Sequence, residues 1–317
     1  MAKINSWLNK LGILEILLAV FPGSILAFIF KNDLWLLASF MAVCAIMPFA
    51  RSYKYIAQSI LHLIIIFLLS IGLSKLTNSV LIFVLVLVVI SLVLGYIEAN
   101  NAFLKPSISW LFIGIIYSSF KLSHYSLIYS QFLEIFAISL ISVTLSLILS
   151  PQPIIKQHIQ LHFKSSLIIS YAKYVLPLII TIIFWQIFKI KEAEWLIWSS
   201  LSVINLELAK SKEKSILRFK GVLIGVILGV ILISLLPENN WLNYLYFAGI
   251  LFSLRSFNSY FVGVIVRSTF IILYANQNFI EIGKYRLMNI LLGMLIGFLS
   301  SYVLSKLSNK RLNLYKI

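Results

Sequence analysis

The chain has 317 residues, 61% of them hydrophobic and only 11% charged, and a formal charge of +16. A soluble domain sits nearer half apolar and a quarter charged, so the composition excludes an ordinary soluble protein and defines an integral membrane one. The positive charge does not mark a nucleic-acid binder, because most basic residues lie in short breaks between apolar runs, where they set membrane topology. The single cysteine, Cys44, excludes a disulfide or a cysteine metal site.

In chain order, the N-terminus reads MAKINSWLNKLGILEILLAVFPGSILAFIF. It lacks a clear small-residue cleavage site and opens a series of further apolar runs, so it is read as a retained first helix, not a signal peptide. Membrane-crossing helices need roughly 17–25 mostly apolar residues. Twelve such spans are predicted, near 14–30, 34–50, 56–74, 79–97, 106–120, 131–149, 170–188, 194–209, 219–236, 241–254, 259–275 and 287–305. The fifth and tenth are the weakest, and either is open to being re-entrant or broken.

With both termini cytoplasmic, the inner segments carry 18 basic residues, including Lys3, Lys10, Arg51, Lys54, Lys156, Lys164, Lys214, Arg218 and Arg255. The outer segments carry 7, Lys31, Lys75, Lys121, Lys189, Lys191, Lys284 and Arg286, and Arg267 falls inside a span. That bias predicts an even count of spans, with Asp33 and Glu238 outside.

The chain also repeats. WLLASFMAVCAIMPFARSYKYIAQSILHL from Trp35 aligns without a gap on WLIWSSLSVINLELAKSKEKSILRFKGVL from Trp195, pairing Ser39 with Ser199 and Val43 with Val203. Six spans per half is an even number, so the halves are expected to be parallel repeats. The predicted fold is therefore all-α and polytopic. Residues 1–150 form one six-helix repeat, 151–169 a cytoplasmic connector, 170–306 the second repeat, and 307–317 a basic tail on the inner leaflet.

Little enzymatic chemistry is present. The lone aspartate, Asp33, cannot supply paired acids for magnesium, and no phosphate-binding GxxxxGK[ST] loop occurs. His158 and His162 have helical metal spacing but no carboxylate or cysteine beside them, so they read as part of the connector. No metal, no cofactor and no enzyme activity is expected.

Gly221, Gly225 and Gly229, and again Gly293 and Gly297, recur every four residues and read as close-packing faces. Arg267 stands ninth in the 259–275 span, near the membrane midplane. Arginine cannot shed its proton, and facing lipid there would cost roughly 2.5–3.5 kcal/mol. It must face the bundle interior, where it binds a substrate carboxylate, helix carbonyls or a bent-in Glu207. The candidate substrate residues are Arg267, Asn205, Trp198 and Thr269. The rival readings are interhelical bonding for Asn205 and belt or core packing for Trp198.

Arg218-x-x-Gly221-x-x-x-Gly225, the following NSYFVGVIVRSTFIILY with Tyr260 and Thr269, and a last span opening at Arg286 with Gly293 and Gly297 resemble the fusaric acid resistance protein-like superfamily, the aromatic acid exporters. The resemblance is best over 170–305 and weaker over 14–150. It implies a bacterial inner-membrane permease that exports small organic anions such as aromatic carboxylic acids, working with a periplasmic membrane-fusion subunit. The large cytoplasmic domains of the bigger exporters are missing, so the chain is similar to the compact branch. The alternatives are an anion channel on the same scaffold and a non-transporting membrane scaffold of an envelope complex. Lipid and a homo-oligomer are the other expected partners.

Overall fold

Inside a bilayer, backbone amides and carbonyls must be satisfied within the protein, which for a single segment means helix. The computed structural model describes residues 10–47, 55–101, 104–125, 127, 129–149, 162–163, 167–236, 240–275 and 278–314, and among these it is all helix, with no strand. Lys3, Arg51, Lys54, Lys156, His158, Lys164 and Glu238 lie outside the described residues.

The helices are α1 (Lys10–Phe30), α2 (Leu34–Ile46), α3 (Tyr55–Leu76), α4 (Val80–Asn100), α5 (Lys105–Ser123), α6 (Tyr129–Leu149), α7 (Ile168–Tyr171), α8 (Val175–Phe188), α9 (Ala193–Val203), α10 (Leu208–Leu235), α11 (Asn240–Phe252), α12 (Tyr260–Tyr274) and α13 (Phe279–Leu314). Among the described residues, seven segments are long and apolar enough to cross a membrane: α1, α3, α4, α6, α7 with α8, α10 and α13. By contrast α2, α9, α11 and α12 have only 13, 11, 13 and 15 residues. At 1.5 Å per residue they extend roughly 16–23 Å, short of a hydrocarbon core of roughly 30 Å. Of the 13 residues of α2, all but Trp35 are buried, so this short helix runs through the middle of the protein.

Three boundaries differ from the sequence reading. The basic stretch Lys210–Lys220, expected as the break between the spans at 194–209 and 219–236, forms the first turns of α10, because Lys, Glu and Arg are strong helix formers that continue an apolar helix into water. The chain instead turns at 204–207, where Ile204 and Glu207 take ψ of 126° and 105°. The 170–188 segment is broken at 172–174 between α7 and α8. The basic segment from Lys306 continues α13 as helix to Leu314.

Small residues set the tightest helix contacts. A Cβ on Gly225 of α10 would fall 2.5 Å from the Ile265 carbonyl oxygen and 2.7 Å from Ser268 Cβ on α12, and one on Gly229 would fall 2.6 Å from Ile272 Cβ. Gly293 and Gly297 of α13 approach the Leu196 and Ser200 carbonyls of α9 in the same way, each at 2.5 Å. Buried serines add bonds to neighbouring backbones: Ser199 Oγ donates to the Ile290 carbonyl at 3.1 Å, Ser39 to Val20 at 2.9 Å and Ser139 to Ala38 at 3.1 Å.

Ion pairs sort by end of the bundle. Glu15 at the start of α1 pairs with Arg255 after α11, and Glu98 at the end of α4 pairs with Lys173 before α8. At the opposite end Lys121 meets Glu194 at 3.0 Å and Glu192 at 3.5 Å, and Lys191 meets Glu281 at 3.2 Å. Every one of these pairs joins residues that the charge pattern assigns to a single side of the membrane. Below, the Glu15–Glu98 end is called inner and the Lys121–Glu194 end outer.

The α10–α12 contact yields a test. Gly225→Leu should destabilise the protein by at least about 1–3 kcal/mol, because an added side chain must displace a backbone. Ile227→Leu, on the 52% exposed face of the same helix, should leave the thermal midpoint of the detergent-solubilised protein unchanged. Equal midpoints for the two variants would place Gly225 away from a helix contact.

Candidate functional site

The short helices and the helices that flank them enclose a cavity of about 260 Å³. Its walls are Leu37 and Phe40 of α2, Tyr117 and Lys121 of α5, Trp195 and Trp198 of α9, Phe247 and Leu251 of α11, Arg267 and Tyr274 of α12, and Arg286 of α13. Asp33, Tyr125, Glu192 and Asn278, all in or beside outer turns, line it as well, whereas Glu15, Glu98, Lys173 and Arg255 of the inner end do not. The cavity therefore opens from the outer end of the bundle and reaches inward as far as Leu254, without including the inner ion pairs. The outer turns are tight: Lys31, Lys189 and Glu192 hold φ of 49°, 45° and 53°, a region costly for residues with a Cβ.

Two arginines dominate the cavity. Arg267 is only 7% exposed and Arg286 3%. The Arg267 guanidinium stands 5.7 Å from the Trp198 ring centre, and its Nε donates to Ser253 Oγ at 3.3 Å. The Arg286 guanidinium stands 4.5 Å from the Trp195 ring centre, and its Nε has no hydrogen-bond partner. Neither arginine belongs to an ion pair among the described residues. The two also lie near enough to feel each other's charge. Contact with an indole face returns part of what a cation loses on leaving water, but like charges in a poorly hydrated site remain unfavourable until an anion arrives.

The aromatic wall is continuous. Phe40 and Tyr117 lie 4.4 Å apart between ring centres and Tyr117 and Trp198 6.4 Å, while Trp110, outside the cavity, packs on Trp198 at 5.7 Å. At the mouth Lys121 is neutralised by Glu192 and Glu194. Burial and the adjacent Glu194 carboxylate raise the Glu192 pKa above the ordinary value, against the opposing pull of Lys121. Desolvation likewise raises the Asp33 carboxyl, opposed by its bond from Tyr274 Oη at 3.4 Å.

Of the residues singled out from the sequence, Arg267 and Trp198 meet in this cavity. Asn205 does not line it. Its side-chain oxygen accepts from the Glu207 N–H at 3.0 Å and its own N–H donates to Ser301 Oγ at 3.1 Å, so it forms the turn that starts α10. The Thr269 hydroxyl lies 3.1 Å from the Gly225 carbonyl oxygen and 3.0 Å from that of Ile265, in the α10–α12 contact. The reading from sequence missed Arg286, which is eighth in α13 and so two turns inside a helix instead of in a loop. The signal was present, since no proline separates Phe279 from the apolar run that follows and Gly283 alone does not end a helix. Lys121, Tyr117 and Phe40 reach the site from the first half of the chain, and nothing local in their sequence marks them.

These features define a polytopic helical membrane protein, transporter-like in form, with a cationic, aromatic-walled cavity among helices too short to span. Residues 179–300 match the family described as fusaric acid resistance protein-like, and through this segment the resemblance read over 170–305 is upheld. No curated protein and no solved structure matches the chain.

The raised carboxyl groups at the mouth set a pH dependence. As pH falls they take up protons earlier than ordinary carboxylates, the mouth loses negative charge, and an anion in the cavity is held more tightly. Benzenesulfonate, which stays ionised, should therefore bind several-fold more tightly at about pH 5 than at about pH 8, followed by quenching of tryptophan fluorescence. Asp33→Asn should flatten the profile. Weaker binding at the lower pH would contradict this electrostatic arrangement.

Proposed function

We propose that this protein is a permease that exports small organic anions, aromatic carboxylates among them, across the bacterial inner membrane. The observation that carries the reading is the pair of buried arginines, Arg267 and Arg286, that have no acidic partner among the described residues and stand against tryptophan faces in one cavity. A guanidinium offers a planar fork of donors that matches a carboxylate, and the rings of Trp195, Trp198, Tyr117 and Phe40 offer flat apolar walls for an aromatic body. The family match over 179–300 supports a transport role over an enzymatic one.

The chain is read as twelve membrane segments in two parallel repeats, 1–150 and 170–306, joined by the 151–169 connector. Three features support it. Ile29-Phe30-Lys31 and Ile187-Phe188-Lys189 both end the first membrane segment of their half, each with its lysine in the left-handed region. α3 packs on α5 as α10 packs on α12, and α2 on α6 as α9 on α13. Across the halves, α1 packs on α11 and α8 on α4, and each of these contacts has a buried ion pair at its inner end, with acid and base exchanged.

Both termini are placed in the cytoplasm on the charge bias, which opens the cavity toward the periplasm, where a fusion subunit would receive the product. A membrane potential negative inside favours anion exit by about 2.3 kcal/mol per charge per 100 mV. A cavity that stops short of the inner end favours a carrier over an open channel.

The test is efflux of benzoate from proteoliposomes. Arg267→Gln should leave the thermal midpoint near wild type and lower efflux at least tenfold, and Arg267→Lys should recover only part, since a lysine supplies charge without the fork. Wild-type efflux by folded Arg267→Gln would end the reading. A collapsed midpoint would assign Arg267 to structure instead.

A further inference from the structure

A second group of cations lies on the inner side of Arg267 and outside the cavity. Arg218 of α10 is 3% exposed, and its Nη1 donates to Tyr260 Oη at 3.1 Å while its Nε has no hydrogen-bond partner. One helical turn earlier, exposed Lys214 stands 5.4 Å from the Tyr260 ring centre. Neither Lys214 nor Arg218 belongs to an ion pair among the described residues. Three acids at this end are engaged elsewhere, Glu15 with Arg255, Glu98 with Lys173 and Tyr174, and Glu207 with Lys210, and a fourth, Glu213, is exposed on α10 beside Lys214 and forms no ion pair with it or with Arg218. Lys105, at the start of α5, adds a further positive charge within reach of Lys214.

The placement is ordered and rigid. Tyr260 and Arg267 are seven residues apart on α12, two turns along one face and about 10 Å in rise. Arg218 lies across Tyr260 from α10, and Arg218 and Arg267 are close enough for their charges to interact. Gly221 holds α10 against Phe261 and Val264 immediately beside this group: a Cβ there would fall 2.9 Å from Val264 Cγ1. The series Lys214, Arg218, Tyr260, Arg267 thus runs from the exposed inner surface to the floor of the cavity. A guanidinium this buried, with no ion pair among the described residues and one edge unbonded, is poorly explained by packing alone.

We infer that Lys214, Arg218 and Tyr260 form a second anion site, which takes the carboxylate of an organic acid at the cytoplasmic end and passes it to Arg267. The inference rests on the export reading and adds an inner loading site to it. Lys214 attracts the anion at the surface, the free edge of Arg218 and the Tyr260 hydroxyl bond its carboxylate, and the Tyr260 ring is the step between the two arginines.

Equilibrium dialysis of radiolabelled benzoate against the purified full chain tests this. Wild type should bind two benzoates per chain, and Arg218→Gln and Arg267→Gln one each. Lys214→Gln and Tyr260→Phe, which are milder, should weaken the inner site at least threefold while the Arg267 site keeps its affinity. Thermal midpoints screen for misfolding, and if Arg218→Gln does not fold, the Lys214 and Tyr260 variants decide. A stoichiometry and affinity untouched by all three inner variants would overturn the inner site and leave the cavity reading intact. A single site lost in Arg218→Gln but kept in Arg267→Gln would support the inner site and reject the cavity as the substrate site. Absence of benzoate binding by wild type would overturn both.

Discussion

The backbone-to-backbone approach of α10 and α12 governs the functional half of this molecule. Gly221, Gly225 and Gly229 remove the side chains that would otherwise hold the two helices apart, and the Thr269 hydroxyl reaches the Gly225 carbonyl across the gap. With no hydrophobic force between helices in lipid, such close van der Waals contact is what associates them. Its consequence is electrostatic. It fixes Arg218 against Tyr260 and points the same face of α12, two turns on, at the cavity through Arg267. The α9–α13 contact, closed by Gly293 and Gly297, does the same for the pair Trp195 and Arg286.

Helix length supplies the second constraint. A helix of 11 to 15 residues cannot cross the hydrocarbon region, so its ends must sit in protein or water. The four helices of this kind, α2, α9, α11 and α12, all line the cavity, while the long apolar helices α1, α3, α4 and α6 turn exposed Leu, Ile, Val and Phe side chains outward. The long helices α1, α3, α4 and α6 meet the bilayer, the short ones leave room for a cavity, and short α12 and long α13 bring Arg267 and Arg286 to it. An arginine in a long lipid-facing helix would be costly, whereas the same residue on α12 is buried among protein groups.

Much of this was legible in the sequence. The membrane class and the helical segments follow from apolar runs, and Arg267 stood out because a charge within such a run must have a reason. Trp198 followed from its depth below Trp195. The rest depended on three-dimensional proximity. Asn205 reads as a buried polar residue in a span, but the span ends at Val203 and the asparagine makes a turn instead. Arg286 reads as a loop charge, although its helix starts seven residues earlier. Tyr117, Lys121 and Phe40 join the site only because the two halves of the chain pack together, which no local pattern encodes.

The central claim, that the cavity between Arg267 and Arg286 is built for an aromatic carboxylate, is tested most directly by an experimental structure of the protein with 4-bromobenzoate. The account predicts anomalous bromine density among Trp198, Tyr117 and Phe40, with the carboxylate bonded to one or both arginines. An apolar groove also runs between α1 and α11, lined by Ile16, Phe21, Phe28, Leu245 and Phe252, and bromine density confined to it, with the cavity arginines bonded only to water, would contradict the account.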